Sequence, residues 1–134
     1  MKDKKEYIQR NEQFLADKRT QEGVKELRGG VLYEVIESGS GEVSPGPRSI
    51  VTCHYKGSTI NGRVFDETFS TGCPAAFRVN GLISGFQIAL VNMHVGDHWR
   101  VFIPSDMGYG KMGAGREIPP YSTLIFEILL TAIG

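Results

Sequence analysis

Residues 106–120 read DMGYGKMGAGREIPP, a glycine-rich segment that ends in two prolines and lies between two strand-like runs. A loop of this length is uncommon in a small domain and is usually functional. Tyr109 lies between two glycines, and the proline after Ile118 holds that residue extended. We therefore expect the segment to place a phenol hydroxyl and an aliphatic side chain over a site that the rest of the chain forms.

The glycine spacing in this loop also matches a dinucleotide-binding turn. Gly108, Gly110 and Gly113 fit the pattern G-x-G-x-x-G, which works only where it opens a helix whose N-terminus faces the pyrophosphate. Gly115 and the two prolines at 119–120 forbid such a helix, and a strand follows them. The context argues against nucleotide binding.

Charge and length restrict the function classes. The chain has 134 residues, with 15 Lys and Arg against 15 Asp and Glu. It is long enough for one domain plus an extension, and its balanced charge does not steer it toward nucleic acid or an anionic membrane. No apolar run approaches the roughly 20 residues of a membrane span, and the charged N-terminus lacks the apolar segment of a secretory signal. We expect a cytoplasmic protein, or a periplasmic or envelope protein if a leader has been removed.

The cysteines and histidines do not form a recognisable reactive group. Two cysteines, Cys53 and Cys73, are too few for a disulfide framework and are expected to be free thiols in a reducing compartment. Cys53 and His54 are neighbours on a predicted strand and point to opposite faces, which argues against a thiol–imidazole pair. His94 and His98 are separated by a Gly-Asp pair that breaks a helix, so zinc binding is not expected. We expect no metal and no cofactor.

The N-terminal segment, residues 1–28, is highly charged and predicts a helical extension. Its apolar residues recur at helical spacing, but they are few: Tyr7, Ile8, Phe14 and Leu15. Such a helix is marginal alone and has to pack on the domain or on a partner chain. The sparse apolar stripe favours a solvated extension, and a homodimerisation arm is the alternative.

The rest of the chain has the pattern of strands interrupted by one short helix. Residues 31–36 are rich in β-branched and aromatic side chains, and Asn61-Gly62 is a strong hairpin signal. Ser84 is expected to cap a helix that begins near Gly85. Strand-like runs are also predicted near 50–55, 77–79, 98–103 and 122–130, and residues 58–60 and 63–65 flank the hairpin signal. The sum is an α+β fold with an antiparallel sheet of five or six strands and one short helix packed on it.

With these elements placed, a series of short blocks occurs in a specific order. The blocks are Val51-Thr52-Cys53-His54-Tyr55-Lys56-Gly57, Gly62-Arg63-Val64-Phe65-Asp66, Pro74-Ala75-Ala76-Phe77, Leu82-Ile83-Ser84-Gly85-Phe86, Val95-Gly96-Asp97, Tyr109-Gly110, Ile118-Pro119-Pro120 and Leu124-Ile125-Phe126. Through them the chain resembles the FKBP-type peptidyl-prolyl cis-trans isomerases, from about residue 49 to 133. The lead-in is similar to the bacterial branch, whose members carry a helical segment before the catalytic domain. The expected organisation is a helical extension (1–28), a lead-in strand and loop (29–48) and the isomerase domain (49–134).

The resemblance implies a half-barrel sheet wrapped around the helix, with an apolar pocket between them. The residues carried over as catalytic are Tyr55, Asp66 and Tyr109. Those carried over as substrate-binding are Phe65, Leu82, Ile83, Phe86, Ile118 and Phe126. The resemblance further implies that the Tyr109 hydroxyl and the Ile118 backbone N–H orient substrate carbonyls.

Two positions depart from the family pattern. Phe86 stands where the family usually has a tryptophan, and the single tryptophan, Trp99, is expected outside the pocket. Residues 69–72 lack the arginine that pairs with Asp66 in human-type members. Isomerisation is expected to survive both changes, whereas tight binding of macrolides such as rapamycin is less secure.

The implied activity is rotation about X-Pro bonds in folding chains, without a cofactor, with proline-containing segments as partners. A second interpretation is a binding module or chaperone that holds such segments without turnover, and a third is a scaffold that recruits a partner through the N-terminal helix. Each candidate also has a purely structural explanation. Phe65 and Phe126 suit the core of any such sheet, Asp66 can hydrogen-bond a turn, and Tyr55 can be a core phenol.

Overall fold

The structure is a computed structural model that describes residues 2–134. In these residues the chain forms seven strands and two α-helices. In chain order the elements are α1 (Lys2–Arg19), β1 (Lys25–Glu26), β2 (Leu32–Glu37), β3 (Ile50–Thr59), β4 (Val64–Glu67), β5 (Ala75–Arg78), α2 (Ser84–Asn92), β6 (His98–Ile103) and β7 (Leu124–Ile133). The α+β class and the antiparallel sheet are confirmed. The added strand is β1, which is only two residues long and has no readable period.

The strands form one antiparallel sheet in the order β1-β2-β6-β7-β3-β4, and β5 also pairs with β3. Side chains of a strand point alternately to the two faces of a sheet. On β7 this alternation buries Leu124, Phe126, Ile128 and Leu130, and on β3 it buries Val51 and Cys53. These residues form the inner face of the sheet.

Helix α2 covers this inner face and is apolar on nearly all sides, as expected of a helix buried in a core. Phe86, Ile88, Ala89 and Leu90 are all buried. The helix approaches β6 so closely that a Cβ at Gly85 would lie 2.4 Å from Cγ2 of Ile103. Glycine is therefore required at this position for α2 to seat on the sheet.

The start of α2 differs from the expectation. Ser84 is the first helical residue, and Ile83 occupies the N-cap position with φ −60° and ψ 152° and without a side-chain cap. The preceding carbonyl, Leu82 O, instead accepts a hydrogen bond of 2.6 Å from Gln87 Nε2. Because an isoleucine has no side-chain oxygen, it leaves the first-turn N–H groups of the helix without a side-chain acceptor.

The N-terminal helix is shorter than expected and packs on the domain. α1 ends at Arg19 rather than near residue 28, and Gly23 takes a φ of 87° in the turn that follows. The Phe14 ring packs on the Phe102 ring with centroids 5.9 Å apart, and Asn11 is only 2% exposed. The extension is therefore not simply solvated. The lead-in strand β2 pairs with β6, so it belongs to the same sheet as the strands after residue 49.

The segment between β6 and β7 is not an irregular loop throughout. It contains two 3-10 turns, Ser105–Met107 and Gly110–Met112, and a bridge between Ala114 and Ile118. A Cβ at Gly113 would lie 2.3 Å from the Ile118 carbonyl oxygen, so the backbone folds tightly on itself there. No helix in the described residues is long and apolar enough to cross a membrane.

Candidate active site

A cavity of about 500 Å³ lies between the inner face of the sheet, the start of α2 and the segment before β7. This volume is within the usual range for small-ligand pockets. The structure brings together in it all of the residues predicted to form the site, which are Tyr55, Phe65, Asp66, Leu82, Ile83, Phe86, Tyr109, Ile118 and Phe126. Four lining residues were not predicted: Phe77, Gly81, Ala114 and Glu117.

The floor of the pocket is a cluster of aromatic rings in edge-to-face contact. Phe86 and Phe126 have centroids 5.0 Å apart at 70°, and Phe65 and Phe126 have centroids 5.7 Å apart at 84°. Tyr55 and Phe77 pack similarly, at 5.6 Å and 62°. Such contacts stabilise aromatic pairs beyond simple burial. The cluster therefore gives the pocket an apolar floor with fixed ring orientations.

A glycine on β3 allows two of these rings to meet. A Cβ at Gly57 would lie 2.7 Å from a ring carbon of Phe65 and 2.7 Å from one of Phe126. Gly57 is paired with Asp66 on β4 and with Phe126 on β7. A glycine inside a strand often marks such a close approach of other groups. The shape of the floor depends on the missing side chain at residue 57.

Tyr55 and Asp66 form the polar pair of the pocket. The Tyr55 hydroxyl donates a hydrogen bond of 2.6 Å to Asp66 Oδ2. Burial, with the added effect of this carboxylate, raises the pKa of Tyr55 above its ordinary value. The phenol therefore stays neutral and keeps its orientation. No lysine, arginine or histidine among residues 2–134 forms an ion pair with Asp66.

Tyr109 and Ile118 reach the pocket from the segment before β7. The Tyr109 side chain is 40% exposed, and its hydroxyl has no hydrogen-bond partner in the described part of the chain. The Ile118 side chain is 5% exposed, but its N–H donates to the Ala114 carbonyl at 3.2 Å. In this structure the Ile118 N–H is therefore already paired, and its expected role as a donor to substrate requires that bond to open.

A different backbone donor is available at the same pocket. Ile83 lines the cavity, and its N–H has no acceptor among the groups of residues 2–134. The first N–H groups of every helix lack intrahelical partners. The predicted start of the helix was the signal that could have identified the Ile83 N–H as a donor. It did not, because Ser84 was expected to be the cap and the helix was expected to begin one residue later.

Of the other residues missed by sequence reasoning, Phe77 had only a weak signal. It shares a face of β5 with Ala75 and pairs with the buried Val51 of β3. The strand has only four residues, too few for a clear period. Glu117 is exposed at the rim of the pocket, and the residue type alone gave no reason to place it there.

Several residues considered earlier lie elsewhere. The Trp99 ring stacks on Tyr33 with centroids 4.0 Å apart, outside the pocket. His54 Nδ1 is 2.9 Å from Thr68 Oγ1, a partner that the sequence did not indicate. Burial raises the pKa of Cys53 to about 12. No group of three or more His, Cys, Asp or Glu side chains in the described residues could hold a metal ion.

The arrangement is suited to holding an apolar ring and orienting nearby carbonyls. The floor is aromatic, while the Tyr109 hydroxyl and the Ile83 N–H are free donors near it. The buried thiol of Cys53 is not among the lining residues. The site favours chemistry that depends on binding and on exclusion of water rather than on covalent attack.

Comparison with known proteins supports this assignment. The sequence profile described as FKBP-type peptidyl-prolyl cis-trans isomerase matches residues 41–131. The chain is 42% identical over 120 residues to the FKBP-type 22 kDa peptidyl-prolyl cis-trans isomerase of Escherichia coli, covering 90% of this chain and 58% of that protein. It is 40% identical over 120 residues to the outer membrane protein MIP of Legionella longbeachae, covering 90% of this chain and 51% of that one.

A solved structure shares the whole fold. The crystal structure of a peptidyl-prolyl cis-trans isomerase from Pseudomonas syringae superposes with a TM-score of 0.90 at 37% identity, covering 97% of this chain and 95% of that one. The chain spans between half and three fifths of the length of the two relatives above. The matched residues include every element that forms the pocket. The chain therefore belongs to the FKBP-type peptidyl-prolyl cis-trans isomerase family.

Proposed function

We propose that this chain catalyses the cis-trans isomerisation of X-Pro peptide bonds in polypeptide segments. The observation that carries the proposal is the aromatic pocket with the Tyr55–Asp66 pair and the free Tyr109 hydroxyl at one opening. Resonance gives peptide-bond rotation a barrier of about 18–20 kcal/mol. X-Pro bonds populate both isomers but exchange in tens to hundreds of seconds, so a catalyst has a clear task.

The mechanism requires no bond to break and no cofactor. In the twisted amide, resonance is lost and the carbonyl is less polar than in the planar ground state. A proline ring held among Phe65, Phe86 and Phe126 brings the amide into a region with little water, which favours the less polar twisted form. Only interactions that are stronger in the twisted state accelerate the reaction.

The polar groups would orient the substrate chain around the rotating bond. The Tyr109 hydroxyl and the Ile83 N–H are the unpaired donors available for substrate carbonyls. Tyr55 is held by Asp66 and presents a neutral phenol with a fixed orientation. Asp66 adds a negative charge beside the pocket. In this proposal Tyr55, Asp66 and Tyr109 carry the catalysis, and the apolar lining residues bind the substrate.

The test is isomerisation of a short Leu-Pro peptide, measured with the intact chain and with Tyr109→Phe, Asp66→Ala and Tyr33→Phe. Tyr33→Phe is the matched control, because it removes a tyrosine hydroxyl outside the pocket. We expect clear acceleration by the intact chain and by Tyr33→Phe, and reduced acceleration by the two pocket variants. An intact, folded chain that leaves the peptide at its uncatalysed rate would disprove the proposed activity.

A binding module without useful turnover is the second candidate, and two features favour it. Phe86 gives a smaller floor without an indole N–H, and Asp66 has no cationic partner in the part of the chain described. In this case proline-containing peptides would bind in the pocket without accelerated isomerisation. Macrolide inhibitors would bind weakly for the same reason. Titration of rapamycin into the intact chain and into Phe86→Trp, with the two affinities compared, tests that expectation.

The proposal also covers the oligomeric state and the cellular location of the chain. α1 presents only part of its surface to the domain, so a homodimer through its outer face remains the proposed alternative to a monomer, and light scattering of the full chain decides between them. We expect a cytoplasmic location. A relative named an outer membrane protein supports the envelope alternative, which cell fractionation tests.

A further inference from the structure

Two hydrogen-bonded side chains join α1 to the segment that precedes β7. Asn11 is 2% exposed, and its Oδ1 accepts a bond of 2.7 Å from the N–H of Thr123, which lies 112 residues away in the sequence. Its Nδ2 donates at 2.7 Å to the Tyr7 carbonyl, so both ends of the amide are paired. The Tyr7 hydroxyl lies 2.7 Å from Ser122 Oγ. A buried amide with both ends satisfied fixes the geometry of the groups it joins.

These bonds continue into the backbone beside the pocket. Ser122 Oγ donates at 2.7 Å to the Pro119 carbonyl, the residue directly after Ile118. A serine hydroxyl has one hydrogen, so Tyr7 must be the donor in its bond to Ser122. The path therefore runs from Tyr7 through Ser122 to Pro119 and ends next to a side chain that lines the pocket.

The same segment holds a strained residue. Tyr121 has a φ of 65°, and among residues 2–134 it is the one residue other than glycine with a positive φ. Its N–H donates at 2.9 Å to the carbonyl of Gly110, the residue directly after Tyr109. Such a conformation costs about 1–3 kcal/mol and persists only where the surroundings determine it. The next two residues, Ser122 and Thr123, are the ones that α1 holds.

We infer that Tyr7 and Asn11 are positioning residues for the pocket. By fixing Ser122 and Thr123 they hold the Tyr121 turn, and through it they set the positions of Ile118 and Tyr109. Neither residue lines the pocket, so neither contacts the substrate. The helical extension thus completes the site of its own domain. The inference rests on the proposed isomerase function for its kinetic readout.

A purely structural role for α1 makes a different prediction, and a double-mutant cycle separates the two. A helix that only adds stability would change activity by the same factor whether or not Tyr109 has its hydroxyl. A helix that positions Tyr109 would have a smaller effect once that hydroxyl is removed, because coupled sites are not additive.

The experiment uses the full chain with Tyr7→Phe and Asn11→Ala, each alone and combined with Tyr109→Phe. Tyr7→Phe removes one hydroxyl and keeps the ring, so it serves if Asn11→Ala does not fold. Gln13→Ala is the control, because the Gln13 side chain bonds only Asp17 on the exposed side of α1. The kcat/KM for a Leu-Pro peptide is measured at a temperature where every variant is folded, with hydrogen exchange of the Tyr121 amide as a second readout.

We expect Tyr7→Phe to lower kcat/KM by about threefold or more, a modest coupling for groups in one network, and to lower it less in the Tyr109→Phe background. The Tyr121 amide should exchange faster in Tyr7→Phe than in the original chain, and its exchange rate should be unchanged in Gln13→Ala. Equal losses with and without the Tyr109 hydroxyl, or unchanged exchange at Tyr121, would overturn the inference. An inactive intact chain would instead disprove the proposed function, and the exchange result would still decide the inference.

Discussion

Replacing Gly57 by alanine should disturb the pocket floor without straining the backbone. Gly57 does not have a positive φ, so alanine can adopt its conformation. The added Cβ would lie 2.7 Å from ring carbons of both Phe65 and Phe126, about 0.7 Å less than the 3.4 Å at which ordinary contact begins. Neither ring can retreat freely, because they are packed against each other and Phe126 also packs on Phe86.

Overpacking of this kind costs about 1–3 kcal/mol of folding free energy. For a chain of 134 residues this corresponds to a fall in melting temperature of roughly 3–15 °C. The displaced rings are also those proposed to surround the proline. A loss of about 1.4 kcal/mol in transition-state contacts would lower kcat/KM about tenfold.

Thermal unfolding by circular dichroism and Leu-Pro isomerisation measure the two effects. Gly46→Ala is the matched control, since its Cβ would meet only Ser49 Oγ, at 3.9 Å. A Gly57→Ala chain as stable and as active as the original would refute the steric argument. Equal losses in Gly57→Ala and Gly46→Ala would show that the effect does not come from the pocket.

Three further predictions follow from individual side chains. The raised pKa of Tyr55 stabilises the fold below pH 10, where the unfolded phenol is still protonated, and this stabilisation is lost as the pH rises further. In denaturant titrations, the free energy of unfolding should therefore fall more steeply with alkaline pH in the original chain than in Tyr55→Phe. Parallel pH curves for the two chains would contradict this. A thiol reagent in mildly alkaline buffer should label the exposed Cys73 in the native chain. It should react with Cys53 only on unfolding, because burial raises the pKa of Cys53 to about 12. Rapid labelling of both cysteines in the native chain would contradict this. Glu117→Gln should lower the isomerisation rate of a Lys-Pro peptide relative to a Leu-Pro peptide by about two- to threefold. The effect is small because an exposed pair between Glu117 and the peptide lysine contributes at most about 1 kcal/mol. An equal effect on both peptides would exclude a charge contribution.

The fold class could be predicted from the sequence, and so could a set of side chains that the structure brings together in one cavity, for a physical reason. On β3, Val51, Cys53 and Tyr55 recur at every second position, so the strand period was readable in the sequence. Short blocks around Tyr55, Phe65 and Tyr109 then specified the family, and the family specified the pocket. The structure places every one of those residues in the same cavity.

Other features could not be predicted because tertiary contacts determine them. The charged composition of residues 20–28 suggested a continuing helix, but a turn at Gly23 and pairing with β2 end it early. The bonds from Asn11 to Thr123 and from Tyr7 to Ser122 join residues more than 100 positions apart, which no local pattern shows. The pairing of the Ile118 N–H with Ala114 depends on the fold of a glycine-rich segment with no regular period.

The place of β7 in the sheet has a consequence for how the chain is synthesised. β7 pairs with β6 on one side and with β3 on the other, so it joins the two halves of the sheet although it comes last among the strands. β3 also pairs with β4 and β5, which follow it closely, but its β7 partner lies more than 60 residues downstream. Long-range pairing of this kind slows folding. A nascent chain therefore lacks its complete central strand until residue 133 has been added, and a protein proposed to assist the folding of other chains would complete its own sheet only after that point.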